Sequence, residues 1–161
     1  MQKMTILCTG KLKEKFYLDA VAEYVKRLSR FCKLEIIELP EERLPEDPSP
    51  AQIEAALSKE ADAVRAKLPN GCLVIAMCVE GRERSSEELA RYLADSAAQG
   101  ASHIVFLIGS SFGMHESLKR QAALRLSMSP MTFPHHLLRV MLLEQIYRCL
   151  LYTSDAADDK A

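Results

Sequence analysis

Short apolar runs alternate along this chain with longer segments in which apolar residues recur every three or four positions. The runs predict β-strands, and the longer segments predict amphipathic helices. Strands are predicted at residues 4–8, 34–39, 72–79, 103–108 and 124–128, with helices near 17–30, 50–68, 86–99, 114–122 and 134–151. This alternation predicts an α/β fold with a mostly parallel sheet and helices on both faces.

Individual runs also predict where strands lie and where helices begin. Runs 72–79 and 103–108 are apolar at nearly every position, which is typical of central strands covered on both faces. Run 124–128 alternates apolar and polar residues, so one of its faces should be exposed. Two helix starts carry a capping box, in which a serine precedes a glutamine or glutamate by three residues: Ser49 with Gln52, and Ser85 with Glu88.

The last predicted strand leads into a proline-rich loop and then a long apolar helix. Pro130 and Pro134 each restrict a backbone dihedral and lack an N–H donor, so residues 128–133 should form a stiff loop suited to recognition by main-chain atoms. Residues 137–151 are apolar on almost every side. Such a helix has to be buried, either by its own chain or by a second subunit.

The composition indicates one ordinary globular domain. The chain has 161 residues, of which 48% are hydrophobic and 27% charged, and its formal net charge is −1. No run reaches the roughly 20 apolar residues of a membrane span, and the first residues form too short an apolar segment for a signal peptide. We therefore expect a cytoplasmic protein.

The spacing of the cysteines indicates their chemical state, and the distribution of charge indicates possible partners. Five cysteines without a C-x-x-C pair argue against a zinc site or a disulfide framework and predict buried, reduced thiols: Cys8, Cys32, Cys72, Cys78 and Cys149. Residues 11–33 contain seven basic and three acidic side chains, whereas residues 38–62 contain two basic and eight acidic ones. This distribution fits either one RNA partner held in one orientation or two solvated helix faces of opposite sign.

The parallel sheet predicts where a ligand would bind. In open parallel sheets, ligands bind beyond the carboxyl ends of the strands, and three predicted loops lie there: 77–84, 109–113 and 128–133. Gly109 permits a close approach of its backbone, either to a ligand or within a tight turn between strand and helix. No G-x-G-x-x-G sequence accompanies it, so phosphate binding is only weakly indicated.

The first turns of the last helix carry the side chains best suited to chemistry. His135 and His136 are adjacent, would point about 100° apart on a helix and could not bind one ion together, so we expect no metal site. Arg139 and Glu144 are charges on an otherwise apolar helix and could line a site or a subunit boundary. Glu144 could instead simply pair with Arg148, four residues later.

Four segments of the chain carry a resemblance to a known family: Gly10-Lys-Leu-Lys-Glu-Lys15, Ile108-Gly109, Leu126-Ser-Met-Ser-Pro-Met-Thr-Phe-Pro-His135, and Arg139 followed by Leu143-Glu-Gln-Ile-Tyr-Arg148. With these segments the chain resembles, from residue 1 to about 150, the small SPOUT-class methyltransferases that modify a pseudouridine of bacterial large-subunit ribosomal RNA. The resemblance implies an α/β fold with a deep C-terminal trefoil knot, an exception to the rule that chains do not thread themselves.

The resemblance also implies an activity and a site. It implies a homodimer that uses S-adenosylmethionine to methylate a ring nitrogen of the base on the assembled ribosome. The implied cofactor pocket consists of Met77, Gly109, Met128, Ser129, Pro130, Met131, Thr132 and Phe133. The implied contacts to RNA phosphates come from basic side chains, with the candidates Lys11, Lys13, Lys15, Arg82 and Arg84.

The chain departs from the family pattern at two places. Ser110 stands where the family usually has a second glycine, and its side chain narrows the pocket unless the hydroxyl points outward. Family members end in a Gly-x-Pro-Tyr-His-Arg type of tail that is held to be needed for catalysis, whereas residues 151–161 read Leu-Tyr-Thr-Ser-Asp-Ala-Ala-Asp-Asp-Lys-Ala. We therefore expect one domain over residues 1–152, a disordered or artificial tail at 153–161, and impaired catalysis.

Without that tail, the catalytic residues are not assigned, and the candidates are Arg139, Glu144 and His135. Two other functions stay open. A non-catalytic RNA-binding or dimeric structural protein would bind RNA without a cofactor. Another nucleotide-binding α/β enzyme would bind phosphate at Gly109.

Overall fold

The computed structural model describes residues 1–160, and the side chains of residues 1–154. Strands and helices alternate in the order β1 (Lys3–Thr9), α1 (Lys15–Leu28), β2 (Lys33–Leu39), α2 (Pro50–Lys67), β3 (Leu73–Glu83), α3 (Ser86–Ala98), β4 (His103–Ile108), α4 (Glu116–Gln121), β5 (Leu124–Ser127) and α5 (His135–Lys160). The predicted bounds agree to within two residues, except at the C-terminal ends of β3 and α5. Both predicted capping boxes are present.

The five strands form one sheet in the order β2-β1-β4-β3-β5, and every neighbouring pair is parallel. The central positions of β3 and β4 explain why their sequences are apolar throughout, since both faces of an interior parallel strand are covered. The predicted α/β class is therefore confirmed. The trefoil knot stays a prediction.

Helices cover both faces of this sheet, and the sheet separates the core into two layers. Along β4, Ile104, Phe106 and Ile108 face the layer that contains α1, α3 and α5. Val105 and Leu107 face the opposite layer, which contains α2 and α4. This alternation follows from the two-residue period of a strand.

Strand β3 continues four residues beyond the predicted end at residue 79. Leu126 of β5 pairs with both Met77 and Arg82 of β3, so residues 78–81 bulge out between the two pairs. A Cβ atom at Gly81 would lie 2.8 Å from the backbone carbon of Arg125, which explains the glycine. The sequence did not predict this part of β3 because its residues are polar, and edge pairing tolerates polar side chains.

Helix α5 is buried mainly by its own chain. Leu142, Leu143 and Ile146 are fully buried, and the helix packs against both α1 and α3. The predicted tail begins within this helix, which continues to Lys160. At the start of the tail, the Thr153 hydroxyl donates to the Cys149 carbonyl at 3.0 Å. The side chains of residues 155–161 lie outside the described residues, so the division at residue 152 stays a prediction.

None of the helices within residues 1–160 is both long enough and apolar enough to cross a membrane.

Candidate functional site

A cleft of about 670 Å³ lies beyond the carboxyl ends of β3, β4 and β5. Its walls come from residues 77–80 of β3, residues 109–113 after β4, and the loop that follows β5. The three loops that the sequence predicted as ligand-binding therefore meet in one place. The strand order brings them together because β3 lies between β4 and β5.

Seven of the eight predicted cofactor residues line this cleft: Met77, Gly109, Met128, Ser129, Met131, Thr132 and Phe133. Pro130 is exposed and lies outside the lining. Its backbone restriction can still shape the loop, because proline acts through its ring and not through contacts with a ligand. The cofactor-binding role of these residues stays a prediction.

Gly109 is required by the turn that follows β4. A Cβ atom at this position would lie 2.4 Å from the Gly113 carbonyl oxygen and 2.6 Å from its carbonyl carbon. The turn is closed by two backbone hydrogen bonds between Ser110 and Gly113, at 3.0 and 2.9 Å. Of the two readings open from the sequence, the tight turn thus accounts for the glycine without any ligand.

Serine hydroxyls, which the sequence interpretation did not use, hold the loop after β5. The Ser127 hydroxyl donates to the Ser129 carbonyl at 3.0 Å and accepts from the Ser129 N–H at 3.2 Å. The Ser129 hydroxyl accepts from the Met131 N–H at 3.0 Å. The signal was the Ser-x-Ser spacing beside a proline, since serine hydroxyls commonly stabilise turns in this way.

Among the three catalytic candidates, His135 lines the cleft. Burial lowers the pKa of its imidazole, and the neighbouring His136 lowers it further, so His135 is neutral at pH 7. Arg139 is only 2% exposed and faces away from the cleft, into the interior. Glu144 pairs with Arg148 at 2.8 Å, the intrahelical pair that the sequence left open, and lies outside the cleft lining.

Arg139 ties α5 to the loop after β1. Its guanidinium donates to the Glu38 carboxylate at 2.6 Å and to the Gly10 carbonyl at 3.2 Å. The same Glu38 oxygen accepts from the Leu12 N–H at 2.8 Å. The sequence did not identify Glu38 because a glutamate near the end of a strand gives no sign of a partner 101 residues away.

We expect this arrangement to make the protein sensitive to acid. Burial acts to raise the pKa of Glu38, but the Leu12 N–H and the Arg139 guanidinium outweigh it and hold the pKa below the ordinary value of 4.5. A carboxyl group with a depressed pKa stabilises the fold above its unfolded pKa, and this stabilisation is lost as the pH falls through the folded pKa.

The free energy of unfolding should therefore decrease below about pH 4.5, as measured by denaturant titration at a series of pH values. Glu38→Gln should show a smaller decrease over the same range. Equal decreases in both proteins would assign the acid sensitivity to other carboxyl groups.

The predicted RNA-binding residues lie at or just beyond the carboxyl ends of β1 and β3. Lys11, Lys13 and Lys15 are exposed after β1, and Arg82 is exposed near the end of β3. Arg84 is half-buried, with its guanidinium 5.0 Å from the centre of the Tyr92 ring. Lys11, Lys13 and Arg82 can therefore meet a phosphate from solvent, whereas Lys15 pairs with Asp19 at 2.8 Å and Arg84 packs against Tyr92. The RNA-binding role of all five stays a prediction.

The five cysteines are free thiols, as predicted, but only Cys8, Cys32 and Cys149 are buried, and Cys72 and Cys78 are half-buried. Burial raises the pKa of Cys8 and of Cys149 to about 12, so both are protonated and unreactive at neutral pH. Cys78 is half-buried and lines the cleft. Among the residues whose side chains the structure describes, no three His, Cys, Asp or Glu side chains are placed to hold a metal ion.

The fold and the cleft together define an α/β protein with a ligand-sized cleft at the carboxyl edge of a parallel sheet. The family model described as "Predicted SPOUT methyltransferase" matches residues 2–154. The chain therefore belongs to the SPOUT methyltransferase family, and the resemblance seen in its sequence is confirmed.

Curated relatives cover nearly the whole chain. It is 45% identical over 149 residues to "Ribosomal RNA large subunit methyltransferase H" of Streptococcus uberis, an alignment that covers 92% of this chain and 94% of the relative. It is 42% identical, with the same coverage, to the protein of that name from Lactobacillus delbrueckii subsp. bulgaricus. The protein of that name from Ligilactobacillus salivarius is 45% identical over 143 residues, or 89% of this chain and 90% of the relative.

Proposed function

We propose that this protein uses S-adenosylmethionine to methylate a ring nitrogen of a pseudouridine in large-subunit ribosomal RNA. The observation that carries the proposal is the convergence of the three loops on one cleft in a chain of the SPOUT family. The names of its relatives support ribosomal RNA as the substrate. The family resemblance supplies the pseudouridine, and with it a homodimer, a knotted C-terminal region and work on cytoplasmic ribosomes.

The residues of the cleft fit an adenosyl group. The volume of the cleft, about 670 Å³, lies within the range of about 300 to 1,000 Å³ typical of small-molecule sites. The turn at 109–113 and the loop 128–133 offer backbone groups, and the hydroxyls of Ser127 and Ser129 hold the second loop in one conformation. A preorganised main-chain surface of this kind can recognise the donors and acceptors of adenine.

The bound cofactor would supply an electrophilic methyl group on a sulfonium sulfur. The contribution of the chain is to orient the reactants and exclude water, for which apolar walls such as Met77, Ile108 and Leu126 are suited. A ring nitrogen must also lose its proton. Neutral His135 lines the cleft and can accept that proton at its imidazole.

Replacement of His135 tests this role. We expect His135→Gln to lower the rate of methyl transfer by about 100-fold, the lower end of the range for general bases, while the affinity for S-adenosylhomocysteine changes little. Single-turnover kinetics and calorimetry measure the two quantities separately. An unchanged rate would remove His135 from the chemistry.

Calorimetry distinguishes the proposed function from a generic nucleotide-binding enzyme. Titration with S-adenosylhomocysteine and, separately, with adenosine monophosphate should show binding of the first and much weaker binding of the second, because the cleft offers no phosphate fingerprint. Preferential binding of the monophosphate would favour the alternative. A protein that binds ribosomal RNA but binds neither of these two ligands would favour the non-catalytic alternative.

We further propose that the 161-residue chain turns over slowly, because residues 152–161 contain no Tyr-His-Arg sequence. A variant whose residues from Thr153 onward are replaced by a Gly-x-Pro-Tyr-His-Arg ending should methylate ribosomes faster, with cofactor affinity little changed. Methyl incorporation from labelled cofactor into ribosomes measures the effect. Rapid turnover by the unaltered chain would contradict it.

A further inference from the structure

Glu60 is a buried carboxylate that the cleft residues do not include, yet it touches one of them. It lies in the middle of α2, on the opposite side of the sheet from α5, and is 7% exposed. Its Oε1 atom accepts a hydrogen bond from the Ser110 hydroxyl at 2.7 Å, and Ser110 is itself 6% exposed. A charged side chain buried to this degree is rare unless its oxygens are satisfied.

The second oxygen of Glu60 reaches a different segment. Its Oε2 atom accepts from the Glu42 N–H at 2.9 Å. The neighbouring Glu41 carboxylate in turn accepts from the Ser111 N–H at 3.0 Å. One side of the turn at 109–113 is therefore tied, through Glu60 and Glu41, to α2 and to the loop after β2.

The bond to Glu60 also answers where the Ser110 hydroxyl points. Ser110 lines the cleft, and a side chain at this position narrows the cleft if its hydroxyl turns inward. The hydroxyl instead donates to the Glu60 carboxylate. Glu60 lies on the α2 side of the turn, where it borders a small gap together with Gly109 and Gly113. Burial raises the pKa of Glu60, because the charged form of a carboxyl group is less favourable in the interior than in water.

We propose that Glu60 is a positioning residue for the cofactor cleft: by accepting the Ser110 hydroxyl it holds this side chain out of the cleft and sets the position of the turn at 109–113. The inference rests on the proposed function, because it takes the cleft as the site of an adenosyl ligand. Glu60 does not line the cleft and would act only through Ser110. The role is specific to a chain with a side chain at position 110.

The test is a double-mutant cycle on the full chain, with calorimetric titration of S-adenosylhomocysteine as the readout. We expect Glu60→Ala and Ser110→Ala each to weaken binding by about tenfold, as is typical for loss of a buried hydrogen bond to a charged group. The double variant should bind no more weakly than Glu60→Ala alone, because both changes remove the same contact. Effects that multiply in the double variant would overturn the proposal.

Two further variants separate positioning from a general loss of stability. In Glu60→Gln the amide oxygen can accept from the Glu42 N–H while the amide nitrogen donates to the Ser110 oxygen, so affinity should stay within about twofold of the unaltered chain. Asp62→Ala removes an exposed carboxylate from the same helix, where it pairs with Arg65 at 3.3 Å, and should leave affinity unchanged. Thermal unfolding of each variant establishes that it is folded during the titration.

The possible outcomes are distinct. If Glu60→Ala does not fold, Ser110→Ala decides the question: weakened binding supports the proposal and unchanged binding overturns it. If the unaltered chain binds S-adenosylhomocysteine and all variants bind it equally, the role of Glu60 is wrong while the proposed function stands. If the unaltered chain binds none, the proposed function itself fails, and this inference with it.

Discussion

Gly109→Ala should destabilise the protein by about 3 kcal/mol and abolish measurable binding of S-adenosylhomocysteine. The added Cβ atom would meet backbone atoms of Gly113 at 2.4 and 2.6 Å and the Met114 nitrogen at 3.1 Å. Backbone atoms cannot rotate away as a flexible side chain can, so the turn has to open, and overpacking of this kind costs about 1 to 3 kcal/mol or more. Denaturant unfolding and calorimetry measure the two effects.

Gly100→Ala is the matched control for this substitution. Gly100 has a φ of +102°, and a Cβ atom there would meet nothing within 4 Å, so alanine adds only backbone strain of about 1 to 2 kcal/mol. The affinity of this variant for S-adenosylhomocysteine should not change, because Gly100 lies between α3 and β4, at the edge of the sheet opposite the cleft. A Gly109→Ala protein as stable as Gly100→Ala would show that the turn relaxes around the methyl group.

Arg139→Met should lower the free energy of unfolding by about 3 kcal/mol, the lower end of the range for breaking a buried ion pair. The lower end applies because Glu38, the charge left behind, has a side chain that is 33% exposed and can regain some hydration. The Gly10 carbonyl also loses its donor. Chemical denaturation measures the loss.

Three comparisons identify its source. Arg139→Lys keeps the charge but cannot reach both Glu38 and the Gly10 carbonyl with one ammonium group. Its free energy of unfolding should therefore lie between those of the unaltered chain and Arg139→Met. Arg148→Met breaks an exposed pair with Glu144 on the same helix and should change stability little. Glu38→Gln combined with Arg139→Met should be more stable than Arg139→Met alone. A double variant as unstable as the sum of the single changes would mean that the two side chains act independently.

Much of the fold follows from local sequence. The apolar runs at 72–79 and 103–108 predicted interior parallel strands because an interior strand is covered on both faces, and β3 and β4 occupy the centre of the sheet. The capping boxes at Ser49 and Ser85 predicted two helix starts because the signal lies within four residues. The second half of β3 was missed because its pairing with β5 depends on a bulge, which has no hydrophobic pattern.

The candidate site was predictable in outline and not in detail. Loops at the carboxyl ends of parallel strands converge whatever their sequence, so their positions alone indicated where the cleft would lie. Arg139 was interpreted as a possible catalytic residue, and the structure instead buries it against Glu38. Charge on an apolar helix is compatible with either placement, and only the distance between segments far apart in sequence distinguishes them.

The order of strands and helices, the parallel sheet, the loop before α5 and the family could all be predicted from the amino-acid sequence, because each of these depends on residues close together in the chain or on their identity. Which charges are buried, and which groups they contact, depends instead on the packing of segments that are far apart in the chain. Glu60 belongs to an acidic segment that is otherwise typical of a solvated face, and it becomes a buried partner of Ser110, 50 residues away, only when α2 packs beneath the turn after β4.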